Sequence, residues 1–149
     1  MDQDFETAVK LEIYRTIAET AKAPSAAEVA QALGASVADI LAAFGALHAR
    51  RLIVPEPADP ARIRMAPPFS GAPTAFLVKA RGKEYFANCV WDALGVAAAL
   101  HEDAVVAAED GFTGEPMTLE VRGGRPGPAE CVAHFAVPAA RWWEDIVYT

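Results

Sequence analysis

The run from Glu84 to Leu100, EYFANCVWDALGVAAAL, leaves little freedom in what surrounds it. Tyr85-Phe86 suits a short strand, Asn88 is a good helix N-cap, and the Ala- and Leu-rich residues from Val90 to Leu100 read as a buried helix. A strand that feeds a buried helix needs a sheet for that helix to lie on, which predicts an α+β protein. Cys89 then falls in the first helical turn, where unsatisfied N–H groups and the positive dipole end favour thiolate over thiol. Asp92 follows at i+3, on the same helix face as the sulfur. The pair combines a soft nucleophile or metal ligand with a proton carrier. An ordinary structural account fits the same residues, because cysteine is often buried and an Asp in a first turn complements the dipole.

The chain before this run predicts a helical domain over residues 1–66. Phe5, Val9, Ile13 and Ile17 recur every four residues, with Ala8 and Leu11 widening the stripe, as in an amphipathic helix. Ser25 and Glu28 have capping-box spacing for a second helix that Gly34 would stop. A third helix is expected from Ser36, with Asp39 at the box position, to about Ala49. Leu52-Ile53-Val54 and Ile63-Arg64-Met65 flank the loop PEPADPAR as a hairpin. Three helices and a hairpin make a winged-helix pattern.

Residues 67–149 predict a second domain. A Pro-rich connector from Ala66 to Pro73 leads to strands at Ala75–Lys79 and Glu84–Phe86, around the Arg81-Gly82 turn. Further strands are expected at Ala104–Ala108, Met117–Arg122 and Cys131–Val137, with another beginning at Ile146-Val147-Tyr148. The expected architecture is a small, mostly antiparallel sheet packed on the central helix, behind a winged-helix-like three-helix domain.

Charge and composition narrow the function. The 149 residues carry a net charge of −7, and residues 1–66 hold nine acidic side chains against seven basic ones. The expected third helix has no Lys or Arg before Arg50. This balance argues against nucleic acid as a partner, since neutralising phosphates needs clustered cations. No run of 18 apolar residues suggests a membrane span, and the acidic start MDQDFETAVK lacks the pattern of a signal peptide. A cytoplasmic protein with free Cys89 and Cys131 is expected. In the expected strand Cys131, Ala133, Phe135 and Val137 share a face, so Cys131 reads as a core residue, with His134 on the opposite face. Trp91, Trp142 and Trp143 read as packing anchors. No His/Cys spacing suggests zinc, and there is no phosphate loop or serine-nucleophile motif.

Several separated blocks carry more information than any one motif. Ala66 to Phe76 (APPFSGAPTAF), Asn88 to Leu100, Thr113 to Leu119 (TGEPMTL), and His134 to Pro138 (HFAVP) followed by Trp142-Trp143 together resemble the alkylmercury (organomercurial) lyase family. The resemblance implies an active site of two cysteines and an aspartate. Cys89 matches the first cysteine and Asp92 the aspartate, while Cys131 matches no catalytic position. The second family cysteine follows the segment matching Trp142 to Thr149, and the sequence ends at Thr149, one residue before it is expected. A UGA selenocysteine codon read as stop, a frameshift, a cut sequence and a naturally shortened homologue are the alternatives this opens.

The implied chemistry is thiolate capture of R–Hg⁺ at Cys89 and protonation of the carbon by Asp92, giving R–H and Hg²⁺. No cofactor is implied beyond external thiols for product release. The N-terminal domain is implied to pack against the catalytic part, and a homodimer is left open. A reading from another class is a non-catalytic winged-helix protein whose thiol senses or stores a soft metal or an electrophile.

Overall fold

The computed structural model describes residues 3–128 and 130–147. Its elements are three helices, α1 (Gln3–Thr20), α2 (Ala26–Leu33) and α3 (Val37–Ala49), then strands β1 (Val54–Glu56), β2 (Asp59–Ala66), β3 (Phe69–Ser70), β4 (Phe76–Ala80) and β5 (Lys83–Ala87). Helix α4 (Val90–Leu100) follows, then β6 (Ala104–Glu109), β7 (Pro116–Arg122), β8 (Arg125–Gly127) and a short 3₁₀ helix, Ala139–Glu144. The α+β architecture expected from the sequence is present.

Local chemistry sets the helix ends. Ser25 and Glu28 form a full capping box at α2, Ser36 accepts from the Asp39 N–H at α3, and Gly34 closes α2 with left-handed φ 64°. Val9, Ile13 and Ile17 are buried as the α1 stripe predicts, beside Ile40, Phe44 and Leu47 of α3, but Leu11, expected to widen the stripe, is 65% exposed and lies off it. Glu6 is buried too, and Arg50 at the end of α3 reaches it at 3.1 Å.

All strand pairs are antiparallel, in one eight-stranded sheet of order β1-β2-β3-β5-β4-β6-β7-β8. The expected domain boundary falls at the end of β2, and β2 pairs across it with β3. Helix α4 carries the chain from β5 over to β6, whose burial alternates; Ala104, Val106 and Ala108 face the core. They meet Ala93, Val96, Ala97 and Leu100 of α4 in one cluster with Val78 and Tyr85. The Tyr85 hydroxyl donates to the Ala18 carbonyl of α1 at 2.8 Å, so α1 is fastened to the face that holds α4.

Three expectations need correction. The Pro-rich connector contains β3, and Gly71 beyond it lies so close to β2 that a Cβ there would come within 1.9 Å of the Ile63 carbonyl oxygen. The strand expected at Cys131–Val137 does not form: residues 131–135 have no regular structure, and Cys131 and His134 are exposed. Alternation alone makes no strand where no partner edge satisfies its backbone. Ile146 and Val147 lie in a turn; Tyr148, the third residue of that expected strand, is outside the described residues.

The packing anchors divide. Trp142 donates from Nε1 to the Val137 carbonyl and packs on Phe135 with ring centroids 5.2 Å apart. Trp143 meets His48 and the Arg51 guanidinium at the end of α3. Trp91 is 63% exposed and anchors no core.

Candidate functional site

The site lies where β5 turns into α4. Cys89, not Asn88, is the N-cap: its backbone is extended (φ −154°, ψ −178°) and its carbonyl accepts the first helical bond from the Ala93 N–H at 2.9 Å. Asn88 loses the capping role because its amide is engaged elsewhere. Its Nδ2 donates to the Phe69 carbonyl at 3.3 Å and to Asp92 Oδ2 at 2.9 Å. The structure thus brings Cys89 and Asp92 to one end of one helix, with Asn88 between the strand β3 and the carboxyl.

The thiol expectation is overturned in sign. Burial pushes the Cys89 thiol above its ordinary value, and the negative charge of Asp92 adds to the rise, while the backbone N–H groups of Asp92 and Trp91 act in the opposite direction. The sulfur accepts no full capping hydrogen bond. A helix N-terminus therefore does not lower this thiol's pKa, because half-burial outweighs the partial charge of the N–H groups. Asp92 is pushed the same way: burial raises its carboxyl and the Asn88 bond offsets part of that rise. Two acids with raised values, side by side, favour one shared proton over two charges.

Helix α1 supplies a residue that no sequence pattern marks. The Tyr14 hydroxyl donates to the Pro67 carbonyl at 2.8 Å, and its ring meets Phe69 edge-on with centroids 6.3 Å apart. Burial first and the Asp92 charge second raise its phenol to about 12. Tyr14 follows Ile13 by one residue, off the Val9–Ile13–Ile17 stripe, and its partner Pro67 is 53 residues away in sequence. No local pattern marks such a contact. On the other side, a Cβ on Gly95 of α4 would stand 3.1 Å from the Pro68 Cβ, so this glycine lets the helix approach the Pro67-Pro68 turn.

The second sulfur is not assembled with the first. Both cysteines are free; Cys89 is half-buried, Cys131 is exposed, and no described interaction joins them. Among the described residues no group of three His, Cys, Asp or Glu side chains could hold a metal ion. Two broad surface clefts lie elsewhere, one beside Lys79, Arg81 and Arg122 and one beside Leu94, His101 and Val121. Neither of these two clefts is lined by Cys89 or Asp92. Among the described residues no single helix is long and apolar enough to cross a membrane.

Residues 69–149, more than half of the chain, match the family model MerB, alkylmercury lyase. A search of curated proteins gives no match. Among solved structures, the crystal structure of the mercury-bound form of MerB2 is similar, with a TM-score of 0.62 and 24% sequence identity. The alignment covers 80% of this chain and 58% of that one. At that identity the likeness concerns the fold.

Proposed function

From the premise that this chain belongs to the alkylmercury lyase family, we propose that it cleaves the carbon–mercury bond of organomercurial cations, with Cys89 and Asp92 as its catalytic residues. The observation that carries the reading is a half-buried thiol beside a carboxyl whose proton affinity is raised by burial. Mercury is a soft acid and prefers sulfur to nitrogen or oxygen. R–Hg⁺ adds to the Cys89 sulfur as the thiol loses its proton, and Asp92 is the adjacent base. A raised carboxyl accepts that proton more readily than an ordinary one.

The proton then goes to carbon. An external thiolate adds to mercury as the second soft ligand, the carbon–mercury bond breaks with its electron pair on carbon, and the Asp92 proton completes R–H. Hg²⁺ stays on two sulfurs, Asp92 returns to carboxylate, and a further external thiol removes the metal. No resident cofactor enters this scheme. Tyr14 of α1, its phenol raised to about 12 chiefly by burial, interacts with the Asp92 charge from the α1 side.

We read α1 to α3 with the β1–β2 hairpin as a winged-helix-like unit whose role is to pack against the catalytic part. The acidic balance of residues 1–66 supports this over nucleic-acid binding. The chemistry needs reduced thiols, which suits the cytoplasm. The test is gas chromatography of the headspace over phenylmercury, excess thiol and the whole protein. Benzene above the thiol-only control is expected, and its absence at stoichiometric protein would end the lyase reading.

A further inference from the structure

Asn88 is placed in an unusual way for a residue next to a helix start. Both amide hydrogens of Nδ2 point at acceptors, the Phe69 carbonyl of β3 and Asp92 Oδ2, which also fixes which end of the amide is nitrogen. Its other end, Oδ1, is buried and has no hydrogen-bond partner among the described residues. A buried acceptor without a partner costs free energy, so the orientation is held by what the nitrogen gains. Rotating the amide would set its oxygen against the Phe69 carbonyl and an ionised Asp92. The amide is thus anchored by the sheet and can offer Asp92 only a donor.

We infer that Asn88 is a positioning residue that pins Asp92 Oδ2 as an acceptor, so that the proton of the reaction is carried on Oδ1. This rests on the lyase reading for its consequence in turnover but not for its effect on the carboxyl. A donor on one carboxyl oxygen disfavours a proton there and leaves the other oxygen to take it and release it. The bond also holds the carboxyl against rotation about its own axis.

The other groups facing Asp92 do not substitute for this. Cys89 on α4 and Tyr14 on α1 interact with its charge, and Lys10 of α1 lies over the Tyr14 ring at 5.6 Å. Strand β3 carries no titratable side chain. The charged residues of β4, β5 and β6, namely Lys79, Lys83, Glu84 and Glu109, are exposed, and Tyr85 spends its hydroxyl on Ala18. The one described side-chain hydrogen bond to the Asp92 carboxyl comes from Asn88.

Two variants of the whole chain test this: Asn88→Asp, nearly isosteric, and Asn88→Leu, which removes both donors. The Asp92 carboxyl is titrated by ¹³C NMR without mercury, and benzene release from phenylmercury is followed in single turnovers from pH 5 to 9. In both variants the Asp92 midpoint should move upward, and further for Asn88→Asp, where two carboxyls compete for a proton. Release should slow by about tenfold and its pH profile should follow the midpoint, while the one-to-one capture of phenylmercury stays intact. An unmoved Asp92 midpoint in the folded variants overturns the inference. If the unsubstituted protein releases no benzene, the lyase reading fails by itself, and the NMR titration still decides the role of Asn88. If Asn88→Leu does not fold, Asn88→Asp decides it alone.

Discussion

The two cysteines occupy opposite kinds of surroundings. Cys89 caps a helix at the edge of a core built from α1, α4 and the sheet; Asn88 and Asp92 beside it, and Tyr14, which interacts with the Asp92 charge, are each tied to backbone or to one another. Cys131 lies exposed in a stretch without regular structure, held by little more than a 3.4 Å bond from its N–H to the Pro128 carbonyl. The thiol chemistry is the same. What differs among the described residues is the setting: the fold places the Asp92 carboxyl against Cys89, and no described interaction joins a carboxyl to the Cys131 thiol.

Exchanging each cysteine for serine should separate them most sharply. Cys89→Ser is expected to abolish phenylmercury capture, measured by intact-mass spectrometry after desalting, together with benzene release. Cys131→Ser should leave turnover within about twofold, because surface substitutions away from a site change little. Equal losses in both variants would break the contrast.

The frames around the two sulfurs should differ as well. Gly71→Ala drives a Cβ to 1.9 Å from the Ile63 carbonyl oxygen, whereas Gly127, in the strand just before the Cys131 segment, has nothing within 4 Å of its Cβ position. Urea unfolding should show a loss of about 3 kcal/mol or more for Gly71→Ala and under about 0.5 kcal/mol for Gly127→Ala. Mercury capture by folded Gly127→Ala should be unchanged.

A smaller effect sharpens the electrostatic side. The folded state raises the Asp92 carboxyl, so between its ordinary range and its raised value the folded protein binds more proton than the unfolded chain. Stability contributed by this group is therefore present at low pH and is lost as pH rises through the folded value. Asp92→Asn removes the titration. Denaturation curves from pH 4 to 8 should show the unsubstituted protein falling relative to Asp92→Asn as pH rises, and parallel curves would contradict the burial argument.

Much of the scaffold was legible locally. The α1 stripe, the Ser25–Glu28 box, the Gly34 stop and the strand-to-helix passage at Glu84–Leu100 are each made by residues close in sequence. The site was legible only in part. Cys89 and Asp92 share a helix face by spacing alone, but the direction of the thiol shift depends on burial that no local pattern shows. Asn88 carried a good capping signal, and the Phe69 carbonyl and Asp92 outcompeted the helix for its side chain. Tyr14 entered through a contact between α1 and the Pro67-Pro68 turn, which is a matter of tertiary packing. At Cys131–Val137 the alternation was real, yet residues 131–135 lack a neighbouring strand to complete it.

The central claim is that Cys89 holds the organomercurial while Asp92 delivers the proton, and one experiment reads both steps. The whole protein and its Asp92→Ala variant are loaded with phenylmercury in D₂O with excess thiol, and gas and protein are analysed together by mass spectrometry. The account predicts monodeuterobenzene from the unsubstituted protein. For Asp92→Ala it predicts a persistent phenylmercury adduct on Cys89, with release slowed by about 100-fold or more. Release from Asp92→Ala at the unsubstituted rate would contradict it.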